Sequence, residues 1–124
     1  MAKITELDQQ VPVRDQIGAA DPGPVVVINT FAVPDGETDR FLDAWAANAA
    51  FFKAQPGFIS TQLYRGLAGS RAFVSEALWE SLEKFRKAFA NPDGQKTLAL
   101  FPDAVTVTPH LFRRIAVPDI CLGS

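Results

Sequence analysis

From Val25 to Val33 the chain reads VVVINTFAV, apolar at both alternating sets of positions and rich in β-branched residues. That pattern predicts a strand covered on both faces. Pro34-Asp35-Gly36 breaks the run, Asp35 can cap, and Glu37 and Asp39 supply the negative charge that favours a helix start. Phe41, Trp45, Ala49 and Phe52 recur at helical spacing, so a helix of about five turns runs to near Gln55, where Pro56-Gly57 stops it. Phe58 to Arg65 and Ala72 to Trp79 are extended runs joined by the loose turn Gly66-Leu67-Ala68-Gly69-Ser70, which predicts a β-hairpin. Ser81 then caps a second helix, with Glu83 in its first turn and Leu82, Phe85 and Phe89 on one apolar stripe. Asn91-Pro92-Asp93 is a fresh cap with proline at the first helical position, and a short helix is expected over Gln95 to Leu100. After Pro102, Ala104 to Val117 alternates well enough for a final strand, in which Pro109 marks an edge or a bulge.

The order β-α-β-β-α-β, with one short extra helix, predicts the α+β class. Its arrangement is the ferredoxin-like one, an antiparallel sheet carrying its helices on one face. Residues 1–24 mix charge, Gln, Gly and Ala with Pro12, Pro22 and Pro24 and show neither period, so they read as a flexible or draped arm. Residues 25–117 form the domain, and residues 118–124 are a tail. Helices can cover one face of the first strand. The other face needs a second cover, and another copy of the chain is the simplest one, so a homodimer packed sheet against sheet is expected.

Composition narrows the partners. With 124 residues, 48% hydrophobic and 21% charged, the chain suits one soluble globular domain. A formal charge of -2, a pI near 5.3 and the lack of a Lys/Arg cluster give no electrostatic reason to expect nucleic acid or an anionic membrane. Cys121 is the lone cysteine, so no intrachain disulfide can form. The start, MAKITELDQQ, is charged where a signal peptide needs an apolar core, and no run approaches the ~20 apolar residues of a membrane span. The expected address is the cytoplasm.

Several chemistries drop out. There is no Walker-type loop, and Gly66 and Gly69 sit in a hairpin turn instead of a strand-to-helix fingerprint. One His and one Cys cannot make a zinc or Cys-His constellation, and a triad using His110 lacks a G-x-S-x-G elbow. An enzyme with this sequence draws most of its reactivity from its substrate or from oxygen. What remains are polar groups within apolar strands. Asn29 is either a structural tie or a ligand contact, since a buried amide must be hydrogen-bonded. Trp79, at the end of a strand just before a helix cap, is either core or a pocket wall whose indole N–H wants an acceptor. Trp45 reads as helix packing. Glu76 has the opposite parity to Trp79 and points to the other sheet face, to a dimer seam or to solvent. His110 is a proton carrier or a structural residue beside Pro109, and Tyr64, Arg65, Arg71 and Arg86 read as solvated or rim residues. Ten phenylalanines against one tyrosine suit a flat apolar ligand, or simply a core.

Three blocks in order, VVINTFAVPDG, QPGFISTQLYRG and FVSEALWESLEKFRKAF, resemble the antibiotic biosynthesis monooxygenase family, over about residues 25 to 115. The resemblance implies a dimeric ferredoxin-like fold with a pocket between sheet and helices in each subunit. It implies a monooxygenase acting on a polycyclic aromatic polyketide, of anthrone or angucycline type, in antibiotic biosynthesis, with O2 and neither metal nor cofactor. In similar members a first-strand Asn and the Trp closing the third strand line the site, which makes Asn29 and Trp79 the catalytic candidates. Phe31, Phe52, Phe73, Phe85 and Phe89 are candidate walls, with Ser75 and His110 as further substrate contacts. Many members carry Asn where this chain has Ser75.

In the implied reaction an anthrone loses a ring proton, the enolate gives an electron to oxygen, and a peroxide collapses to quinone and water. The protein excludes solvent and offers preorganised donors. Two alternatives stand beside it: reduced flavin in the same pocket driving cleavage of a polyketide ring, and a ligand-binding protein of the same fold without activity. A third branch degrades heme with an iron-ligating His on the helix after the Trp, and Glu80 to Phe101 contains no His.

Overall fold

The computed structural model describes residues 1–123. Four antiparallel strands make the body of the sheet: β2 (Val25–Ala32), β3 (Phe58–Arg65), β4 (Ala72–Trp79) and β5 (Thr106–Phe112). A short β1 (Lys3–Ile4) joins β5 in parallel, giving the order β1-β5-β2-β4-β3 and a mixed sheet where a purely antiparallel one was expected. Because β4 pairs antiparallel with both β2 and β3, those two run parallel with β4 inserted between them. This is the split βαβ unit of the ferredoxin-like fold. The helices are α1 (Val13–Ile17), α2 (Thr38–Lys53), α3 (Leu82–Ala90) and α4 (Pro92–Leu98).

The local signals act as their chemistry dictates. Ser81 Oγ accepts from the Lys84 N–H at 3.1 Å and Asn91 Oδ1 from the Asp93 N–H at 2.9 Å, capping α3 and α4. At α2 the cap position falls on Glu37 instead of Asp35, because Gly36 turns the chain at φ +84°. The last strand stops at Phe112 instead of Val117. In the tail Val117 makes an isolated bridge with Cys121, and Ser124 lies outside the described residues.

Residues 1–24 carry a two-residue strand and a five-residue helix, each too short to display a period. They seal the edge of β5. Lys3 and Thr5 donate N–H groups to the Val105 and Val107 carbonyls, both at 2.9 Å, and the Gln16 side chain accepts the Leu111 N–H at 2.8 Å. Strand alternation points the Pro109 nitrogen to the same edge, past the end of β1, where no ladder bond is lost. Farther along, the Asp21 carboxylate accepts the N–H groups of Leu82 and Glu83 at 3.1 and 3.2 Å. Arg86, read from sequence as a rim residue, pins the arm: it donates to the Ile17 and Ala19 carbonyls, both at 2.8 Å, and pairs with Glu83.

Between sheet and helices the core falls into two clusters. Phe31, Val33, Phe41, Ala44, Phe73, Phe101 and Val105 form one, and Val25, Val27, Trp79, Leu82, Phe85 and Ala88 form the other. On the opposite sheet face Val26, Ile28, Val74 and Leu78 are half-buried, and Glu76 accepts the Tyr64 hydroxyl at 2.7 Å.

Candidate functional site

A polar row separates the two clusters. On the helix-facing side of the sheet Asn29 of β2 stands opposite Ser75 of β4 and Pro109 of β5. The row on one side pairs Phe31 with Phe73, in the first cluster; the row on the other pairs Val27 with Ala77, in the second. Above the sheet, α2 sends Phe41 and Ala44 into the first cluster and Phe52 against the second, and Asn48 and Ala49 come between them. Small and polar side chains thus meet where the core would otherwise be continuous. They leave a cavity of about 180 Å³. An apolar cavity of about 150 Å³ is enough to hold benzene, so this one accommodates at least one aromatic ring.

Trp79 closes one end. It is 1% exposed and meets Phe52, Phe58 and Phe85 edge-on, at centroid distances of 5.8, 5.5 and 5.5 Å. Each such pair contributes roughly 0.5–1.5 kcal/mol beyond area burial, and together they fix the plane of the indole. The exposed members of the lining, Met1 and Ile4, both belong to the arm, so the mouth of the cavity lies there.

Several polar groups in this lining are unspent. Among the described residues the Asn29 amide, the Ser75 hydroxyl and the Trp79 indole N–H have no protein hydrogen-bond partner. None of them is sealed off, because Glu37 Oε2 is the one fully buried, unpartnered side-chain oxygen or nitrogen there. Such groups look into the cavity and are available to a ligand. Thr61, by contrast, spends its hydroxyl on the Glu76 carbonyl at 2.8 Å. No lining residue is an Asp, Glu, His, Lys, Arg, Cys or Tyr. The cavity therefore offers neutral donors and acceptors in an apolar setting, without a side-chain acid or base.

Of the residues expected at the site, Asn29, Phe31, Phe52, Ser75, Trp79, Phe85 and Phe89 line this one cavity. Two do not. His110 pairs with Ile28 and so projects from the opposite sheet face, where its ring lies tilted by 37° against that of Phe112, centroids 4.5 Å apart, and its Nδ1 lies 2.7 Å from the Leu111 carbonyl. Its parity along β5 puts it there, since Val107, Pro109 and Leu111 are the residues of that strand that face the cavity. Phe73 sits off the cavity in the first cluster, with Phe41 at 5.0 Å and the Arg65 guanidinium 5.3 Å over its ring.

Sequence reasoning missed Asn48, Phe58, Phe101 and the arm's share, including Ile4 and Ile17. Asn48 had a signal: it falls three residues after Trp45 and four before Phe52, a polar residue on an apolar stripe. The arm had none, since its contribution depends on tertiary contacts.

A metal site has little to build on. Among the described residues no three His, Cys, Asp or Glu side chains cluster. Heme held through an axial His does not fit this cavity either, because the chain's single His faces the other way.

Residues 24–100 match the antibiotic biosynthesis monooxygenase family. The chain is 35% identical over 82 residues to deoxynogalonate monooxygenase of Streptomyces nogalater, covering 66% of this chain and 68% of that protein. It is 37% identical over 68 residues to a mycobilin-producing heme oxygenase of Mycobacterium tuberculosis, covering 55% of this chain and 64% of that protein. Among solved structures it superimposes on SnoaB, a cofactor-independent oxygenase from Streptomyces nogalater, with a TM-score of 0.71 and 29% identity, over 78% of this chain and 98% of that one.

Proposed function

The chain belongs to the antibiotic biosynthesis monooxygenase family, and from that premise we propose that it is a monooxygenase that oxidises a polycyclic aromatic polyketide of anthrone type with O2, without metal or organic cofactor. One observation carries the reading: a cavity walled by aromatic rings holds unspent neutral hydrogen-bond donors and no ionisable side chain. Similarity to a deoxynogalonate monooxygenase and to a cofactor-independent oxygenase supports the same reaction class. The heme-degrading relative is the poorer guide, because no His is available to ligate iron in this cavity.

The chemistry follows from what the walls supply. An anthrone is a weak carbon acid whose enolate is stabilised over three fused rings. Its ring proton leaves to water, since no lining side chain takes it. The enolate passes one electron to O2, and the radical pair combines into a carbon–oxygen bond at the same ring carbon. The hydroperoxide then loses water to give the quinone, so one oxygen atom enters the product and the other leaves in water. Negative charge grows first on the ketone oxygen and then on the peroxide. The Asn29 amide and the Trp79 indole N–H are donors for that charge, and in a dry cavity such donors act more strongly than in water. Both line the cavity on paired strands, four residues apart in register, so each approaches a flat multi-ring ligand from a different point.

The enzyme works as a homodimer in this reading, with the half-buried face of Val26, Ile28, Val74 and Leu78 as the seam; light scattering showing a monomer would remove that part. The catalytic part is tested by Asn29→Ala and Trp79→Phe. Each should lower turnover by more than about tenfold. Asn29→Ala should leave the melting temperature close to wild type, Trp79→Phe should lower it as well because it removes buried ring volume, and full activity in both contradicts the assignment.

A further inference from the structure

Thr97 of α4 and Asn48 of α2 form a hydrogen-bond relay whose direction is fixed. Thr97 Oγ1 lies 2.7 Å from the Gly94 carbonyl, which can only accept, so the single hydroxyl proton goes there. Asn48 then has to donate: its Nδ2 is 2.8 Å from the same Oγ1. The flipped amide would set two acceptor oxygens against each other, and it is excluded on that ground. Asn48 therefore keeps its Oδ1 for something else. Among the described residues that oxygen has no partner, and it is not sealed in the core. Asn48 lines the cavity above the Asn29–Ser75 row.

The relay exists because α4 lies unusually close to α2. Gly94 is buried, and a Cβ at that position would fall 2.6 Å from Cε2 of Phe51. The missing side chain lets the first turn of α4 rest on Phe51 and brings Thr97 within reach of Asn48.

We propose that Asn48 is a substrate-positioning group that accepts a hydrogen bond from a ring hydroxyl of the ligand, and that Thr97 locks it in that role. The inference rests on the polycyclic-substrate reading above and adds a specificity to it. The floor offers donors for a developing oxyanion, while the roof offers an acceptor. A ligand with an oxygen over Asn29 and a hydroxyl beneath α2 satisfies both. A ring that presents a methoxy group to Asn48 sets acceptor against acceptor.

The test is equilibrium binding followed by tryptophan fluorescence, with 2-hydroxyanthraquinone, 2-methoxyanthraquinone and unsubstituted anthraquinone as probes, so that turnover is not needed. Wild type should bind the hydroxy compound about fivefold more tightly than the methoxy one, the worth of one ordinary hydrogen bond. Asn48→Leu should abolish the preference. Thr97→Val frees the amide to flip and should erase most of it by tightening the methoxy compound, whereas Thr97→Ser, which keeps the hydroxyl, should retain it. A purely structural Thr97 would weaken all three ligands alike. Equal wild-type affinities, or a preference that survives in both Asn48→Leu and Thr97→Val, overturn the inference and leave the polycyclic reading intact. Binding of none of the three tricycles overturns the polycyclic reading and this inference with it.

Discussion

Asn29 and Ser75 face each other across the β2–β4 pair, in the gap between the two halves of the core, and neither side chain is spent on another protein group among the described residues. A side chain that serves the fold costs stability when removed, because its buried partner is orphaned. One that serves a ligand does not. Ser75→Ala should therefore leave the melting temperature within about a degree of wild type or raise it, while lowering kcat/KM by roughly fivefold, one hydrogen bond's worth. A drop of more than several degrees with unchanged kinetics would mark Ser75 as a structural residue.

No side chain in the cavity titrates, so the pH profile should belong to the substrate. For an anthrone, kcat/KM should rise with pH until the substrate itself ionises and then level off, with no falling limb from an enzymic acid. Replacing the substrate by a more acidic analogue should move the rising limb to lower pH by the difference in substrate pKa. His110→Gln should change neither the limb nor the plateau, since His110 looks out from the other face of the sheet. A limb that stays put when the substrate is changed, and vanishes in His110→Gln, would restore His110 as the base.

The arm that shapes the cavity mouth is tied down by Asp21 and Arg86. The Asp21 carboxyl is held below its ordinary value, first by the Gly23 N–H, then, against desolvation, by the Glu83 and Leu82 N–H groups and the Arg86 charge. A depressed folded-state value means the contribution is present at neutral pH, above the unfolded-state value of 3.8, and is lost as pH falls through the lower folded-state value. Asp21→Asn should make the segment before Val25 sensitive to limited proteolysis at pH 7. Arg86→Met should do the same and raise KM more than it lowers kcat, because the arm contributes walls and no polar chemistry. Protease resistance equal to wild type in both variants would show that β1 and Gln16 suffice to hold the arm.

Gly94 is a packing requirement that can be checked alone. Gly94→Val places a branched side chain where even a Cβ would lie 2.6 Å from the Phe51 ring. The expected destabilisation is about 1–3 kcal/mol, read as a lower midpoint in urea with an unchanged m-value. A midpoint equal to wild type would mean that α4 is free to move off α2.

Much of the fold was legible because its signals are local. The β-branched run before Pro34, the Ser81 and Asn91 caps and the glycine-containing turn after Arg65 each act within a few residues, and each element stands within a few residues of its expected place. The arm was illegible because β1 and α1 are ordered by contacts with residues about a hundred positions away, such as Thr5 with Val107 and Gln16 with Leu111. The site divides in the same way. Asn29 and Trp79 stood out by residue type within apolar strands, with core and ligand roles both open, and the family resemblance made them the site candidates. Parity along β5, counted from Pro109, would also have turned His110 away from the cavity, but a lone histidine draws a reader looking for a base. Phe73 was expected as a wall; it shares its row with Phe31 on the right sheet face but packs against Phe41 in the first cluster, and only that packing takes it off the cavity.

The most direct measurement is oxygen uptake by chelator-treated, flavin-free protein supplied with a tricyclic anthrone, recorded together with quinone formation. Uptake of one O2 per quinone, well above the rate of anthrone autoxidation and unchanged by added metal or reduced flavin, is the predicted result. Uptake that appears only when reduced flavin is added would contradict the cofactor-independent reading, and no uptake under either condition would contradict the oxygenase itself.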